Sequence, residues 1–394
     1  MARILAAWEL GGALGHLANL RPFVEASLAR GHEVTLAVKE LRHVPLVYRN
    51  HPRLQLFQAP YHYRATQRPY RPLRSFTQLL LQRFETPEEL ATLHQGWRAI
   101  LDACRPDLVV ADFAPTLHLA ARGGPWQQWA VGNGFFVPRT DLPYLGVFPG
   151  VRRSEENAQS LAEAESRLLA LANPLLERHG QPPLPGAAAL YSELDRHWLM
   201  TLSELDTFGS RPEAEYLGLP PLASGEAPPW PSVPGPRVFA YLSACSAMEP
   251  LLEALAQQQA AVVIYCRDLS PEVARRFPNL HLAGAPVDMR QAMQQADLVI
   301  NMANHATAAC AYLAGVPQLL IPRRQEQLFL AQRLAGQGKA VAMPPDSPDP
   351  AKALVKALAL PPAPAPEARL DHQFDHYTGQ RLMERIALQL ESLA

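Results

Sequence analysis

The chain has 394 residues, of which 48% are hydrophobic and 19% are charged, and its formal net charge is -1. At roughly 100 to 200 residues per domain, this length predicts two domains. The apolar content argues against a disordered chain, and the balanced charge argues against nucleic acid as a partner.

The cysteine pattern and the N-terminal segment indicate a cytoplasmic protein. Cys104, Cys245, Cys266 and Cys310 show no CxxC spacing and lie in or beside apolar runs, which is typical of reduced thiols. The first apolar run is interrupted by Glu9, so it predicts a strand and no signal peptide. No stretch approaches the roughly 20 apolar residues that cross a bilayer, and we expect at most peripheral membrane contact.

Strand-like and helix-like runs alternate through the N-terminal half. The strand-like runs are "ILAAW", "EVTLAV", "DLVVAD" and "QWAVGN", and a helix is predicted over residues 17–30, closed by Gly31. This alternation predicts βαβ units and a parallel sheet that is covered on both faces. Residues 1–217 are therefore expected to form the first domain.

A proline-rich stretch, residues 218–236, separates the two halves and is expected to be the interdomain linker. After it the alternation restarts with "RVFAYLSA", "AAVVIYC", "LHLAGAP", "DLVINMA" and "QLLIP". This pattern predicts a second doubly wound domain over residues 237–370. Residues 371–394 are expected to form a C-terminal helix that packs back on the first domain. The predicted architecture is two α/β domains that face each other across a cleft.

A polar cluster follows the buried strand-like run "DLVINMA" in the second half. In an open parallel sheet, ligands bind beyond the carboxyl ends of the strands, where the next helix presents unpaired N–H groups. Asn301, Asn304, His305 and Thr307 occupy that place, so they predict an anion-binding turn. Because asparagine tolerates left-handed backbone better than other residues with a side chain, we expect Asn304 to adopt it.

This stretch resembles the GT-B glycosyltransferases of the family that includes the UDP-glycosyltransferases and the macrolide and glycopeptide glycosyltransferases. Those enzymes typically carry a His-Gly-Gly-type turn, a Thr, a Glu-Ala pair, Gly-Val-Pro, and a Pro followed by Asp-Gln. Thr307, residues 315–317, Pro322 and Gln327 match this pattern at the expected spacing. The resemblance implies two Rossmann-like domains, an acceptor-binding one and a nucleotide-sugar-binding one.

Three positions depart from the family pattern. Met302 replaces a His that generally contacts the diphosphate, Cys310 replaces a Glu that commonly contacts the ribose, and Glu326 replaces Asp. These departures leave both UDP-hexoses and dTDP-deoxysugars open as donors. The resemblance implies a donor site in which Glu326 and Gln327 hold sugar hydroxyls. Its predicted members are Ser243, Val287, Asn301, Met302, Asn304, His305, Ala306, Thr307, Glu326 and Gln327.

A glycine-rich loop precedes the first helix and ends in His16. The resemblance implies that His16 is the catalytic base, and a nearby helix N-terminus favours its neutral form. Asp112 ends the strand "DLVVAD" and is predicted to orient His16 and stabilise its charge. The alternative is that His16 only opens the helix and Asp112 only caps one. The resemblance implies an inverting displacement without a cofactor. No metal is expected, because there is no Asp-x-Asp motif.

The acceptor is expected to contact two segments of the first domain. Residues 60–74 carry four arginines and three tyrosines, and residues 132–148 add further aromatics. The predicted acceptor-binding residues are Tyr61, Tyr63, Arg64, Phe135, Phe136 and Tyr144. A small molecule, a lipid-linked acceptor and a glycan all fit this composition.

Three other functions remain open. The Met302 and Cys310 replacements suit a non-catalytic sugar-nucleotide sensor, and a nucleotide-sugar epimerase shares the predicted fold. A dinucleotide-dependent oxidoreductase is suggested by Gly12 and Gly15 after the first strand and by Glu40 after the second. The first glycine of the GxGxxG fingerprint is displaced to Gly11, so the sequence does not match the fingerprint strictly, which argues against the oxidoreductase.

Overall fold

A computed structural model of the protein describes residues 1–12, 14–48, 50–62, 73–222 and 224–393. The chain divides into two compact units. The first comprises Met1–Pro220 and Leu382–Ala394, and the second comprises Pro221–Arg381. Within the described ranges, every helix is too short or too polar to cross a membrane.

The first unit contains a parallel six-stranded sheet with the order β3-β2-β1-β4-β5-β6. Its strands are β1 Arg3–Trp8, β2 Glu33–Val38, β3 Leu54–Gln58, β4 Leu108–Asp112, β5 Gln127–Gly132 and β6 Arg196–Leu199. Its helices are α1 Gly15–Ala29, α2 Phe76–Leu81, α3 Pro87–Cys104, α4 Pro115–Ala121, α5 Glu155–Arg178 and α6 Ala189–Ser192. Short 3₁₀ segments lie at Leu41–Leu46 and Ser203–Leu205. This is the doubly wound order of a Rossmann domain.

The second unit contains another parallel six-stranded sheet, with the order β12-β11-β10-β7-β8-β9. Its strands are β7 Arg237–Leu242, β8 Ala261–Cys266, β9 His281–Leu282, β10 Leu298–Asn301, β11 Gln318–Leu320 and β12 Ala340–Ala342. Its helices are α7 Met248–Ala256, α8 Pro271–Arg275, α9 Met289–Gln295, α10 His305–Leu313, α11 Gln325–Gly336, α12 Pro350–Leu358, α13 Pro366–Arg369 and α14 His372–Asp375. A π-helical segment, His376–Gln380, precedes the last helix, α15 Arg381–Glu391.

The last helix contributes to the core of the first unit. Leu382, Ile386 and Leu390 recur at intervals of four residues, so they share one face of α15. All three are buried in the same apolar cluster as Leu17 of α1 and Trp198 of β6. The chain therefore returns to its first unit after completing the second.

Candidate functional site

The carboxyl ends of β1 and β4 bring the two predicted catalytic residues together. These strands are neighbours, with Trp8 in register with Asp112, and His16 lies in the first turn of α1. The Nδ1 atom of His16 is 3.2 Å from Oδ2 of Asp112, and Asn19 donates its Nδ2–H to the same oxygen at 2.9 Å. The His16 ring is not aligned with the carboxylate for a hydrogen bond. His16 is 4% exposed and Asp112 is fully buried.

Aromatic rings enclose His16. Its ring stacks on Trp8 with 5.2 Å between centroids, and it packs against Phe136 at 4.8 Å and Phe113 at 6.0 Å. Gly11 adopts a φ of +81°, and a Cβ atom there would lie 2.3 Å from Nε2 of His16. Glycine is therefore required at this position both by the backbone and by the approach of the imidazole.

The surroundings of Asp112 carry two signs of a functional site. Phe113, the next residue, has a φ of 49°, which is strained for an aromatic residue. The Oδ1 atom of Asp112 is buried without a hydrogen-bond partner. A buried polar atom without a hydrogen bond lowers the stability of the folded state. Strained residues and unsatisfied polar groups are concentrated at active sites.

Glu9 is a further ionisable residue at this edge of the sheet, and the sequence reasoning did not assign it a role. It directly follows β1, it is 1% exposed, and its Oε2 accepts a hydrogen bond from the backbone N–H of Thr116 at 3.0 Å. Burial raises its pKa to about 7, partly offset by the hydrogen bonds from Thr116. The sequence could have indicated Glu9 as a site residue, because it is an acid at the carboxyl end of a buried strand, as Asp112 is.

Glu9→Gln is expected to change how stability depends on pH. Because the pKa of Glu9 is raised from 4.5 to about 7, its favourable contribution is complete below pH 4.5 and is lost as pH rises to about 7. The free energy of unfolding of the variant should therefore gain on that of the wild type by about 3 kcal/mol between pH 4.5 and 8. Urea unfolding followed by tryptophan fluorescence measures this, since five of the six tryptophans lie in the first unit. An equal difference at both pH values would contradict it.

The predicted acceptor residues have different surroundings. Phe136 packs on His16, whereas Phe135 stacks on Phe148 with 5.3 Å between centroids and nearly parallel planes. Tyr144 is half-buried, and Tyr61 is 42% exposed with Nζ of Lys39 located 5.5 Å from its ring centroid. Two more predicted acceptor residues, Tyr63 and Arg64, lie outside the described residues.

In the second unit, the turn between β10 and α10 differs from the predicted one. Ala303 has the left-handed φ of 55°, whereas Asn304 has φ -64° and ψ 127°, so the prediction for Asn304 was wrong. The cause is Asn301, whose Oδ1 accepts the N–H of Ala303 at 2.8 Å and closes a local turn. Asn304 is the residue before α10, where extended backbone is normal.

Two predicted donor residues point into the fold. Asn301 is fully buried, and its Nδ2 donates to Oε1 of Gln318 at 3.0 Å, so its amide holds the turn. Met302 is 2% exposed and belongs to the apolar core of the second unit. Neither side chain presents a polar atom to solvent in this structure.

Gln327 ties the start of α11 to the start of α10. Its Oε1 accepts the backbone N–H groups of Arg323 and Arg324 at 2.8 and 3.1 Å. Its Nε2 donates to Oδ1 of Asn304 at 2.9 Å. With 7% of its surface exposed, Gln327 holds these two segments together, a function that the sequence pattern did not reveal.

The first turn of α10 is small and uncharged. Ala306 is exposed, Thr307 is buried, and His305 is half-buried. Burial lowers the pKa of His305 to about 4, so the ring is neutral at pH 7. The helix therefore offers N–H groups and a neutral imidazole to an anion.

The remaining predicted donor residues lie on neighbouring segments. Ser243 is half-buried after β7, and Glu326 is half-buried at the start of α11. Val287 is 8% exposed and pairs with Glu226 through an isolated bridge. Cys310, in the position of the family's ribose acid, is fully buried, and burial raises its pKa to about 12, so it is an unreactive thiol.

The His- and Asp-containing segment near the chain end is occupied by structural contacts. Asp371 accepts the backbone N–H of Phe374 at 2.9 Å, and Asp375 pairs with Arg290. Over the ranges that the structure describes, no three His, Cys, Asp or Glu side chains are placed to hold a metal ion.

Two Rossmann-like domains with the same strand order define the GT-B class of fold. CalG4, the calicheamicin glycosyltransferase, matches with a TM-score of 0.68 and 18% identity over 99% of this chain and 98% of its own. VinC, a glycosyltransferase in complex with dTDP, matches with a TM-score of 0.65 and 18% identity over 98% of this chain and 100% of its own. The spinosyn rhamnosyltransferase SpnG, complexed with thymidine diphosphate, matches with a TM-score of 0.62 and 17% identity over 97% of this chain and 99% of its own.

These matches confirm the prediction of two Rossmann-like domains and the GT-B resemblance at the level of the fold. No protein-family model matches the sequence, and no curated protein matches it in sequence.

Proposed function

We propose that this protein transfers a sugar from a nucleoside-diphosphate sugar to an acceptor hydroxyl, with inversion at the anomeric carbon and without a metal. The buried pair of His16 and Asp112 carries this proposal, because it lies at the ligand-binding edge of a domain whose fold is that of solved glycosyltransferases. A side chain at Gly11 would collide with the imidazole of His16, and the surrounding aromatic rings pack against that imidazole.

His16 is the proposed general base. Its Nδ1 faces Asp112, so Nε2 takes the proton from the acceptor hydroxyl. The acceptor oxygen forms a bond to the anomeric carbon, and the bond from that carbon to the diphosphate breaks with its electron pair leaving on the diphosphate. Asp112 stabilises the imidazolium that forms, and Asn19 holds the carboxylate through its amide.

The second unit is the proposed donor site. In this proposal, the first-turn N–H groups of α10 and the neutral ring of His305 stabilise the negative charge that develops on the leaving diphosphate. VinC and SpnG were each solved with a thymidine diphosphate, which supports dTDP as a candidate leaving group here. The rings around His16 favour an acceptor with an apolar portion, which suits a small molecule.

A thermal-shift panel tests the donor class. We expect UDP, dTDP or both to raise the melting temperature by several degrees, since a ligand at 100 times its Kd adds about 2.7 kcal/mol. The matched controls are the corresponding nucleosides and NAD. Stabilisation by NAD with no response to any nucleoside diphosphate would refute the proposal in favour of the oxidoreductase alternative.

A further inference from the structure

The side chain of Arg323 extends across the carboxyl end of β10. Arg323 follows β11, and its Nη1 donates to the carbonyl oxygen of Ala244, which follows β7, at 3.0 Å. In the sheet, β10 lies between β11 and β7. The side chain of Arg323 therefore spans the end of β10, where the chain turns into α10.

The backbone of Arg323 is fixed relative to α10. Its N–H donates to Gln327, whose amide in turn donates to Asn304, the residue before α10. The backbone of Arg323 is thus linked through Gln327 to the start of α10, and its guanidinium is held by the segment that follows β7. A long exposed arginine normally has no such restraint, and the restraint reduces the entropy lost when it binds a ligand.

The turn itself supplies no positive charge. Met302 points into the apolar core at the position where the resemblance implies a diphosphate-contacting histidine. His305 is neutral at pH 7 because burial lowers its pKa to about 4. A diphosphate at this turn would carry more than one negative charge, and helix N–H groups alone would not balance it.

We propose that Arg323 is the cation that binds the diphosphate of the donor. This inference rests on the proposed function. The guanidinium carries five N–H groups, and among the described residues it donates to Ala244 alone, so further N–H groups can bind two phosphate oxygens. A guanidinium can make paired contacts with phosphate that an ammonium cannot.

Calorimetric titration of Arg323→Ala with UDP, dTDP and the two nucleosides tests this inference. We expect affinity for the diphosphate that the wild type binds to fall about ten- to hundredfold, with affinity for the nucleoside unchanged. Arg323→Lys should fall between the wild type and Arg323→Ala. Lys352→Ala is the matched control, because it removes one positive charge from an exposed position on α12 of the same unit.

The outcomes separate this inference from the proposed function. Diphosphate affinity in Arg323→Ala equal to that in Lys352→Ala would overturn the role of Arg323 and leave the function intact. Equal loss of nucleoside and diphosphate affinity would also overturn it, since it would show a structural effect. A wild type that binds neither diphosphate would overturn the proposed function itself.

Discussion

His16→Gln is expected to lower turnover by about a hundredfold to ten-thousandfold, while nucleoside-diphosphate affinity stays unchanged. Glutamine nearly preserves the volume among Trp8, Phe113 and Phe136 but cannot accept the acceptor's proton near pH 7. Affinity should persist because His16 belongs to the first unit, whereas the proposed diphosphate site belongs to the second. Release of the nucleoside diphosphate from its sugar, with a panel of hydroxylated acceptors, measures turnover.

His118→Gln is the matched control for this variant. His118 is also buried in the first unit, and burial lowers its pKa to about 4, but it bonds Gln128 and lies outside the dyad. Its replacement should leave turnover within a fewfold of the wild type. If His16→Gln retained full turnover, His16 would not be the catalytic base. If the wild type turned over no donor that it binds, the sensor alternative would be favoured.

Asp112→Asn is expected to lower kcat by about a hundredfold or more with little change in KM. The substitution keeps the shape of a fully buried side chain but removes the negative charge 3.2 Å from His16. The imidazolium that forms in the transition state would then have no counter-charge, so the loss should appear in kcat. Steady-state kinetics with the donor varied at a fixed acceptor concentration separates the two parameters.

Asn19→Ala provides a graded comparison for Asp112→Asn. It removes the amide that donates to Asp112 at 2.9 Å and leaves the charge in place, so we expect a loss of about tenfold or less. Full activity in Asp112→Asn would indicate that the carboxylate has only a structural role. A larger loss in Asn19→Ala than in Asp112→Asn would contradict the assigned order of importance.

The sequence predicted the central strands of both sheets and missed three strands that lie at sheet edges, β3, β6 and β12. β1, β4 and β10 are continuous apolar runs, because parallel strands are covered on both faces. β3 lies at a sheet edge with Leu56 48% exposed, and β12 has only three residues. Edge strands and very short strands carry too few buried residues to stand out as a pattern.

The same contrast holds for the candidate site. The proximity of His16 and Asp112 could be predicted because the carboxyl ends of neighbouring parallel strands meet at one edge. The contact of Gln327 with Asn304 and that of Arg323 with Ala244 could not be predicted from the sequence. Each is a side-chain hydrogen bond between residues far apart in the chain. Local propensity also favoured Asn304 for the left-handed conformation. The structure has Ala303 in that conformation, because the side chain of Asn301 accepts a hydrogen bond from the N–H of Ala303.

A crystal structure with the bound nucleoside diphosphate is the most direct test of the proposed donor site. We expect its phosphate oxygens within hydrogen-bond distance of the first-turn N–H groups of α10, beside Arg323. A diphosphate found instead at Gly11 and Gly12, in the loop after β1, would contradict the assignment and favour a dinucleotide-binding first domain.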